Sequence, residues 1–471
     1  MGSTTPEEET TVPQRRHIDL PVSLDRAAGT PLATQLGDTL RAAMRQGTLK
    51  HGERLPSSRG LAKQLGVSRT VVTEAFQQLY AEGWLEGRHG SGTYVAGFGE
   101  TPPPDPGPGA AGPPGQRTAP AMIDLRPGIP WVRDYDDAAW RRAWRRAADV
   151  PPREEPDPYG LPRLREAVAA YLRRARAVPA GAADVLVTRG TGNGLDLVAA
   201  TLLRPGDLAG VEDPGYGVAR NVFAARGAHV VPCPVDEDGV IVERLPGGLR
   251  VLYTTPAHQY PLGGRLPIPR REKLLAWARR TGAIVVEDDY DAEFRYDVAP
   301  LPALYGLDPA RVVLLGTLSK SLGPDVGVGW LVAGAELLEA VARTRDKLAD
   351  RTCGPAQAAV AHLLERGDLE RHLRRMRLEY ARRRAVVVDA LRGLCPLRGE
   401  TAGLHVVAEL PAPAVPHVVE AAHERGVLLE ALPRYHQGPA HAHGLVIGYG
   451  AASSADLRRA MSVVATLIAD L

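Results

Sequence analysis

Leu55-Pro-Ser-Ser-Arg59, Leu65-Gly-Val-Ser-Arg69, Ala81-Glu-Gly-Trp-Leu85 and Gly90-Ser-Gly-Thr-Tyr-Val95 follow one another within a single short stretch. Pro56 stops whatever precedes it, and Ser57 or Ser58 offers an oxygen to cap a short helix with Leu61, Ala62 and Leu65 on one face. Gly66 supplies the left-handed residue that closes this helix. Val67 faces inward and Ser68 caps a second helix, from Arg69 to about Glu82. Its apolar residues Val71, Val72, Ala75, Phe76 and Leu79 recur at helical spacing. Trp84-Leu85-Glu86 and Thr93-Tyr94-Val95 then read as two short strands around a glycine-rich tip, Gly87 to Gly92. Upstream, Pro31 to Gln46 repeats Leu32, Leu36, Leu40, Ala43 and Met44 at helical spacing, a cover for the core. Two helices across a Gly-closed turn, followed by a hairpin, make a winged helix-turn-helix.

In that arrangement the N-terminal residues of the second helix enter the major groove of DNA. Here they are Ser68, Arg69, Thr70 and Thr73, with Arg59 beside them and Arg88, His89 and Ser91 on the wing. Taken singly, Arg59 or Arg69 is more often a solvated charge, and a small helical domain with a hairpin can instead bind protein. Charge adds a mild argument: Arg15 to Val95 holds 11 Lys and Arg against 7 Asp and Glu, in a chain of net charge +2. A local basic excess on a near-neutral chain suits site-specific phosphate contact. From Pro31 to Val95 the residue types and spacings resemble the GntR family of bacterial regulators. That resemblance implies a double-stranded DNA operator as partner.

The chain has 471 residues and is 44% hydrophobic, room for roughly three domains with real cores. Residues 1–14 read as a disordered N-terminus without the basic-then-apolar order of a signal peptide, 15–96 as the DNA-binding domain and 97–120 as a Pro- and Gly-rich linker. Residues 121–345 and 346–471 are assigned to a large and a small C-terminal domain. No apolar run is long enough to span a membrane. Cys233, Cys353 and Cys395 lack metal-ligand spacing and read as thiols in a reducing cytoplasm, so no metal site is expected.

Beyond Asp157, helical stretches such as Leu164–Ala175 and Leu274–Thr281 alternate with short β-rich runs. The strand candidates are 185–188, 208–212, 229–232, 251–255, 283–287 and 312–316. This order predicts an α/β fold with a largely parallel sheet and chemistry at the strand C-terminal ends. Polar clusters fall at those ends. Thr188-Arg-Gly-Thr-Gly-Asn-Gly194 opens a helix and offers amides to an anion. Glu212-Asp-Pro-Gly-Tyr216 presents an aromatic ring, Glu287-Asp-Asp-Tyr-Asp291 is acidic, and Thr317-Leu-Ser-Lys320 ends in an amine. An anion loop, a ring, a carboxylate and a lysine in one crevice suit pyridoxal 5′-phosphate. Alone, each cluster is more often surface, solvated loop or packing.

In this order the clusters resemble fold-type I aminotransferases over about residues 121–471. Joined to the N-terminal domain, with "EDDYDAEFRY" and "TPAHQYP", the chain resembles the MocR/GabR subfamily of GntR regulators. The resemblance implies Lys320 as Schiff-base lysine, Asp288 as partner of the pyridine nitrogen, Tyr290 as donor to the ring oxygen and Tyr216 as the stacking ring. It places His258 and Gln259 on the ring-oxygen side, with Thr191, Gly192, Thr317 and Ser319 around the phosphate. Arg434 is a candidate for an effector carboxylate, or equally a surface arginine. The resemblance further implies a homodimer and an amino compound as effector.

Three departures concern the phosphate. The arginine usual seven residues after the lysine is Gly327, the tyrosine that the family often supplies from the partner subunit in Tyr-x-Asp-Pro-x-Gly is Glu155, and the anion loop reads Gly190-Thr-Gly-Asn193. A charge-assisted contact is stronger than a neutral one, so weakened phosphate binding is expected, from the lost cation and from repulsion by Glu155. Tyr159 is the nearest aromatic replacement. Three functions stay open: a cofactor-dependent, cytoplasmic transcriptional regulator; a working aminotransferase with a DNA-binding head; and a regulator whose second domain is a cofactor-free scaffold. The stretch Gly444 to Gly450 has no arginine, which favours sensing over turnover.

Overall fold

The computed structural model describes residues 24–88, 92–96, 122–151, 153–291, 293–296, 302–399 and 402–471. The chain divides into two compact units, Met1–Arg117 and Thr118–Leu471.

The first unit holds α1 (Leu32–Arg45), α2 (Ser58–Leu65), α3 (Arg69–Ala81), β1 (Leu85–Arg88) and β2 (Gly92–Val95). Ser57 resolves the choice of cap: its hydroxyl accepts the Gly60 N–H at 3.2 Å, and Ser68 accepts the Val71 N–H at 3.4 Å. Gly66 is left-handed, at φ +63°, where a β-carbon would be strained. Leu36, Leu40, Leu61, Val72, Phe76 and Leu79 close the core with Leu85 and Val95. β1 and β2 pair antiparallel from Leu85–Val95 to Arg88–Gly92. The Tyr80 hydroxyl donates to Thr93 at 2.7 Å and ties this hairpin to α3.

The second unit opens with β3 (Ile123–Asp124), α4 (Asp137–Ala148) and α5 (Pro162–Arg176). There follow β4 (Val185–Thr188), α6 (Thr191–Leu202), β5 (Leu208–Asp213), α7 (Gly217–Ala225), β6 (His229–Asp236) and β7 (Gly239–Val240). Next come β8 (Leu249–Thr254), α8 (Ile268–Thr281), β9 (Ile284–Asp289), β10 (Val312–Thr317), β11 (Gly329–Val332) and α9 (Ala335–Lys347). The chain continues with α10 (Gly354–Glu365), α11 (Asp368–Leu391), β12 (Leu397–Arg398), β13 (His405–Glu409) and α12 (Ala414–Glu424). It ends with β14 (Val427–Leu428), β15 (Glu430–Ala431), β16 (Gly444–Gly448) and α13 (Ser454–Ala469).

The main sheet runs β4-β11-β10-β9-β8-β5-β6-β7. Neighbours from β10 through β6 are parallel, whereas β11 and β7 are antiparallel to theirs. Side chains alternate between faces. Leu186, Val211, Tyr253, Val286 and Leu315 meet α6, α7 and α9, while Val187, Leu252, Val285 and Leu314 meet α5 and α8. A smaller sheet, β12-β13-β16-β15, packs with the C-terminal helices.

Two differences from the sequence reading follow from long-range pairing. The antiparallel β11 was not expected. The expected cut of 121–345 from 346–471 does not follow the packing either. β3 pairs in parallel with β14, so the start of the "large" segment joins the small sheet's side, and residue 345 falls inside α9.

Candidate cofactor site and nucleic-acid interface

The parallel strands direct their C-terminal ends to one side, and there the face covered by α6 opens into a cavity of about 410 Å³. Alternation along β9 sorts the acidic cluster. Glu287 and Asp289 point to the α5 and α8 face. There Glu287 accepts the Leu304 and Tyr305 N–H groups at 2.8 and 2.9 Å, and Asp289 holds Arg176 through two bonds of 2.7 and 2.9 Å. Asp288 points the other way, into the cavity.

Asp288 is 3% exposed. Its Oδ2 accepts the Tyr253 hydroxyl at 2.6 Å, while Oδ1 is buried with no hydrogen-bond partner among the described residues. Burial, with Asp289 and Asp291 nearby, pushes its carboxyl up to about 7, against the Tyr253 hydrogen bond and Lys320. Lys320 Nζ donates to the Gly128 carbonyl at 2.6 Å. Burial lowers its pKa, opposed by Asp291 and Asp288. Gly128 has φ +85°, and a β-carbon there would lie 3.2 Å from the amine.

Tyr216 lines the cavity and stacks on Tyr253, centroids 6.2 Å apart. Tyr290 lines it too, its hydroxyl 3.0 Å from His258 Nδ1. At the far end stand Thr191 and Gly192 at the start of α6, with Thr317 at the end of β10 and Ser319 just after it. The Thr317 hydroxyl donates to Ser319 at 2.9 Å. Gly190, at φ +120°, makes the turn that aims the first amides of α6 at this end.

An unpartnered buried carboxylate oxygen, a lysine amine, an aromatic wall and an amide-and-hydroxyl cup fit the parts of pyridoxal phosphate: ring nitrogen, aldehyde, ring face and phosphate.

Three expected residues stand elsewhere. His258 lies behind the wall, its Nδ1 2.9 Å from Asp291 Oδ2. Gln259 is consumed by main-chain bonds, donating to Pro214 and Tyr260 carbonyls at 2.9 and 2.8 Å. Neither lines the cavity; Thr255 and Tyr260, from the same loop, do. Arg434 is exposed, paired with Glu430 at 2.8 Å, and lies outside the lining. Glu155 is exposed and Tyr159 packs under Arg165, whose guanidinium carbon is 5.5 Å from the ring centre. Neither lines the cavity of its own chain. Gly327 is left-handed, φ +59°.

Sequence reasoning missed Arg189, Tyr253, Tyr260 and His405, which also line the cavity. Tyr253 and Arg189 had a usable signal, since each sits at the end of a strand already recognised. His405 had none: it enters from β13 of the smaller sheet.

On the first unit, Arg59, Ser68, Arg69 and Thr70 are exposed around the start of α3. Arg69 Nε donates to the Ser58 hydroxyl at 3.4 Å, and Thr73 is half-buried, donating to the Arg69 carbonyl at 2.9 Å. Arg88 closes β1; His89 and Ser91 lie outside the described residues. No described helix is long and apolar enough to cross a membrane.

Comparison with known proteins finds a family match in each unit. Residues 32–95 match the bacterial regulatory proteins of the gntR family, and residues 132–431 match aminotransferase class I and II. The chain is 37% identical to the HTH-type pyridoxine biosynthesis transcriptional regulator PdxR of Corynebacterium glutamicum, over 96% of this chain and 99% of that protein. It is 35% identical to the probable rhizopine catabolism regulatory protein MocR of Rhizobium meliloti, over 93% and 94%. Among solved structures, an archaeal alanine:glyoxylate aminotransferase superposes with a TM-score of 0.70 at 25% identity, covering 75% of this chain and 92% of that one. The chain belongs to the gntR-type helix-turn-helix regulators that carry an aminotransferase class I and II domain.

Proposed function

We propose that the protein is a DNA-binding transcriptional regulator, acting in the cytoplasm, whose second unit binds pyridoxal phosphate and senses an amino compound. One observation carries the reading. The same chain joins an exposed recognition-helix start to a cavity in which a buried carboxylate oxygen stands unpartnered beside a lysine amine.

When bound, the cofactor supplies an electrophilic carbon and an electron-withdrawing ring. Lys320 would hold it covalently. Asp288 would accept the ring nitrogen's proton contact at Oδ1, with Tyr253 fixing the other oxygen. Tyr216 would cover a ring face and Tyr290 donate to the ring oxygen. The cup of Gly190 to Gly192, Thr317 and Ser319 would take the phosphate. The names of the relatives support regulation: one is a pyridoxine biosynthesis transcriptional regulator, another a probable rhizopine catabolism regulatory protein. A homodimer would present two α3 helices to two operator half-sites.

Turnover as an aminotransferase is the second reading, favoured by the complete ring-binding set. Against it, Arg434 is turned out to Glu430 and β16 carries no arginine. The test is anisotropy of the full chain on DNA from its own upstream region, beside an amino-donor and keto-acceptor assay. The regulator reading expects tight binding that Arg69→Ala or Thr70→Ala weakens, and no sustained turnover. Sustained turnover with indifferent DNA binding overturns it.

A further inference from the structure

The chain lacks a cation at Gly327, yet its cavity is not without one. Among the described residues lining it, the groups able to carry positive charge are Arg189, Lys320 and His405. Lys320 serves the ring end, anchored on the Gly128 carbonyl. His405 is buried, which brings its pKa down to about 4, and its Nε2 is 2.8 Å from the Pro261 carbonyl. Arg189 remains, a permanent cation immediately before the amide cup that starts at Gly190.

Arg189 is also clamped. Its guanidinium pairs with Asp350 and donates to the Arg351 carbonyl at 3.3 Å. Its own N–H donates to Asn193 Oδ1 at 3.0 Å, while Asn193 Nδ2 donates to the same Asp350 at 3.0 Å. Asp350 is bound from behind by buried Arg345, at 3.2 Å. The acid therefore holds Arg189 and the cup's Asn193 in one assembly without cancelling its charge, because two arginines face one carboxylate. The Arg189 side chain keeps 49% exposure, which leaves donor groups free to turn toward an anion.

We propose that Arg189, positioned by Asp350, supplies the cationic contact to the cofactor's phosphate that the chain lacks at Gly327. The proposal rests on the cavity being a pyridoxal phosphate site. It replaces the expectation of a lost cation: the cation enters from the start of α6 instead of from the loop after Lys320.

Equilibrium dialysis of the full chain with pyridoxal phosphate and with pyridoxal, which lacks the phosphate, tests it. Wild-type protein should prefer the phosphorylated form. Arg189→Ala should bind pyridoxal phosphate about tenfold or more weakly and pyridoxal within about twofold of wild type. Arg189→Lys should recover part of the loss, because it keeps the charge without the planar fork. Unchanged preference in Arg189→Ala, or equal loss for both ligands, overturns the role of Arg189 and leaves the cofactor site standing. Wild-type protein that binds neither ligand overturns both.

Discussion

The two ends of the cavity are built by different means. At the ring end, Asp288 and Tyr253 sit on neighbouring strands, fully buried, and Asp289, one residue on, is locked to Arg176 on the opposite face. At the phosphate end the donors are main-chain amides of α6, two hydroxyls and a half-exposed arginine. Strand geometry therefore dictates the first end: moving Asp288 by one residue would send it to the wrong face of the sheet. Loop chemistry builds the second, so a cation can be lost from one loop and provided by another without disturbing the fold.

The contrast is broken most forcefully under the ring end. Arg176→Ala leaves the buried Asp289 carboxylate without its bidentate partner, a change worth about 3–5 kcal/mol. Chemical denaturation should show that loss. A loss below about 1 kcal/mol would mean that the ring end is no more rigidly held than the other.

Asp288 offers a pH-dependent measure of the same end. Its carboxyl, raised to about 7 by burial, favours the protonated form in the folded protein. The contribution of Asp288 to stability is then highest at low pH and falls as pH climbs from about 4, where the unfolded carboxyl ionises, through about 7. Each pKa unit corresponds to about 1.4 kcal/mol, which makes the full penalty on the order of 4 kcal/mol. In cofactor-free protein Asp288→Asn should therefore be more stable than wild type at pH 8. The gap should shrink toward pH 4 in denaturation curves taken at each pH. A gap independent of pH would contradict the assignment.

Smaller effects sharpen the comparison. Ser68→Ala removes the cap of α3, at about 1 kcal/mol. It should weaken operator binding in the anisotropy assay while leaving cofactor affinity alone. Arg189→Ala should cost less than about 1 kcal/mol of stability, since its side chain is half-exposed. Its effect belongs to ligand binding, and a large stability loss in denaturation would show that the phosphate end is structural after all.

What the sequence revealed divides along the same line. Periodicity located β4 at its observed bounds and the other five parallel strands to within a few residues, because an apolar run ended by polar residues is a local signal. The cap at Ser68 and the left-handed Gly66 were legible for the same reason, and the first cap was narrowed to Ser57 or Ser58. Alternation alone could have singled out Asp288 from Glu287 and Asp289. His258 and Gln259 do not line the cavity, because a motif marks a loop, not the direction of each side chain. Gln259 is drawn inward by the Pro214 and Tyr260 carbonyls, and His258 by Asp291. The pairing of β3 with β14 joins residues some three hundred positions apart, and no local pattern encodes it. Arg189 was not legible as a cation for the phosphate because the family pattern carries that charge at a fixed offset from Lys320.

The most direct test of the central claim is the visible absorbance of the purified full chain with added pyridoxal phosphate, repeated with Lys320→Ala and followed by borohydride reduction. A visible band in wild type that Lys320→Ala abolishes, with reduced cofactor covalently retained only by wild type, is the predicted result. No band at saturating cofactor, or the same band and trapping in Lys320→Ala, would contradict the assignment of this cavity.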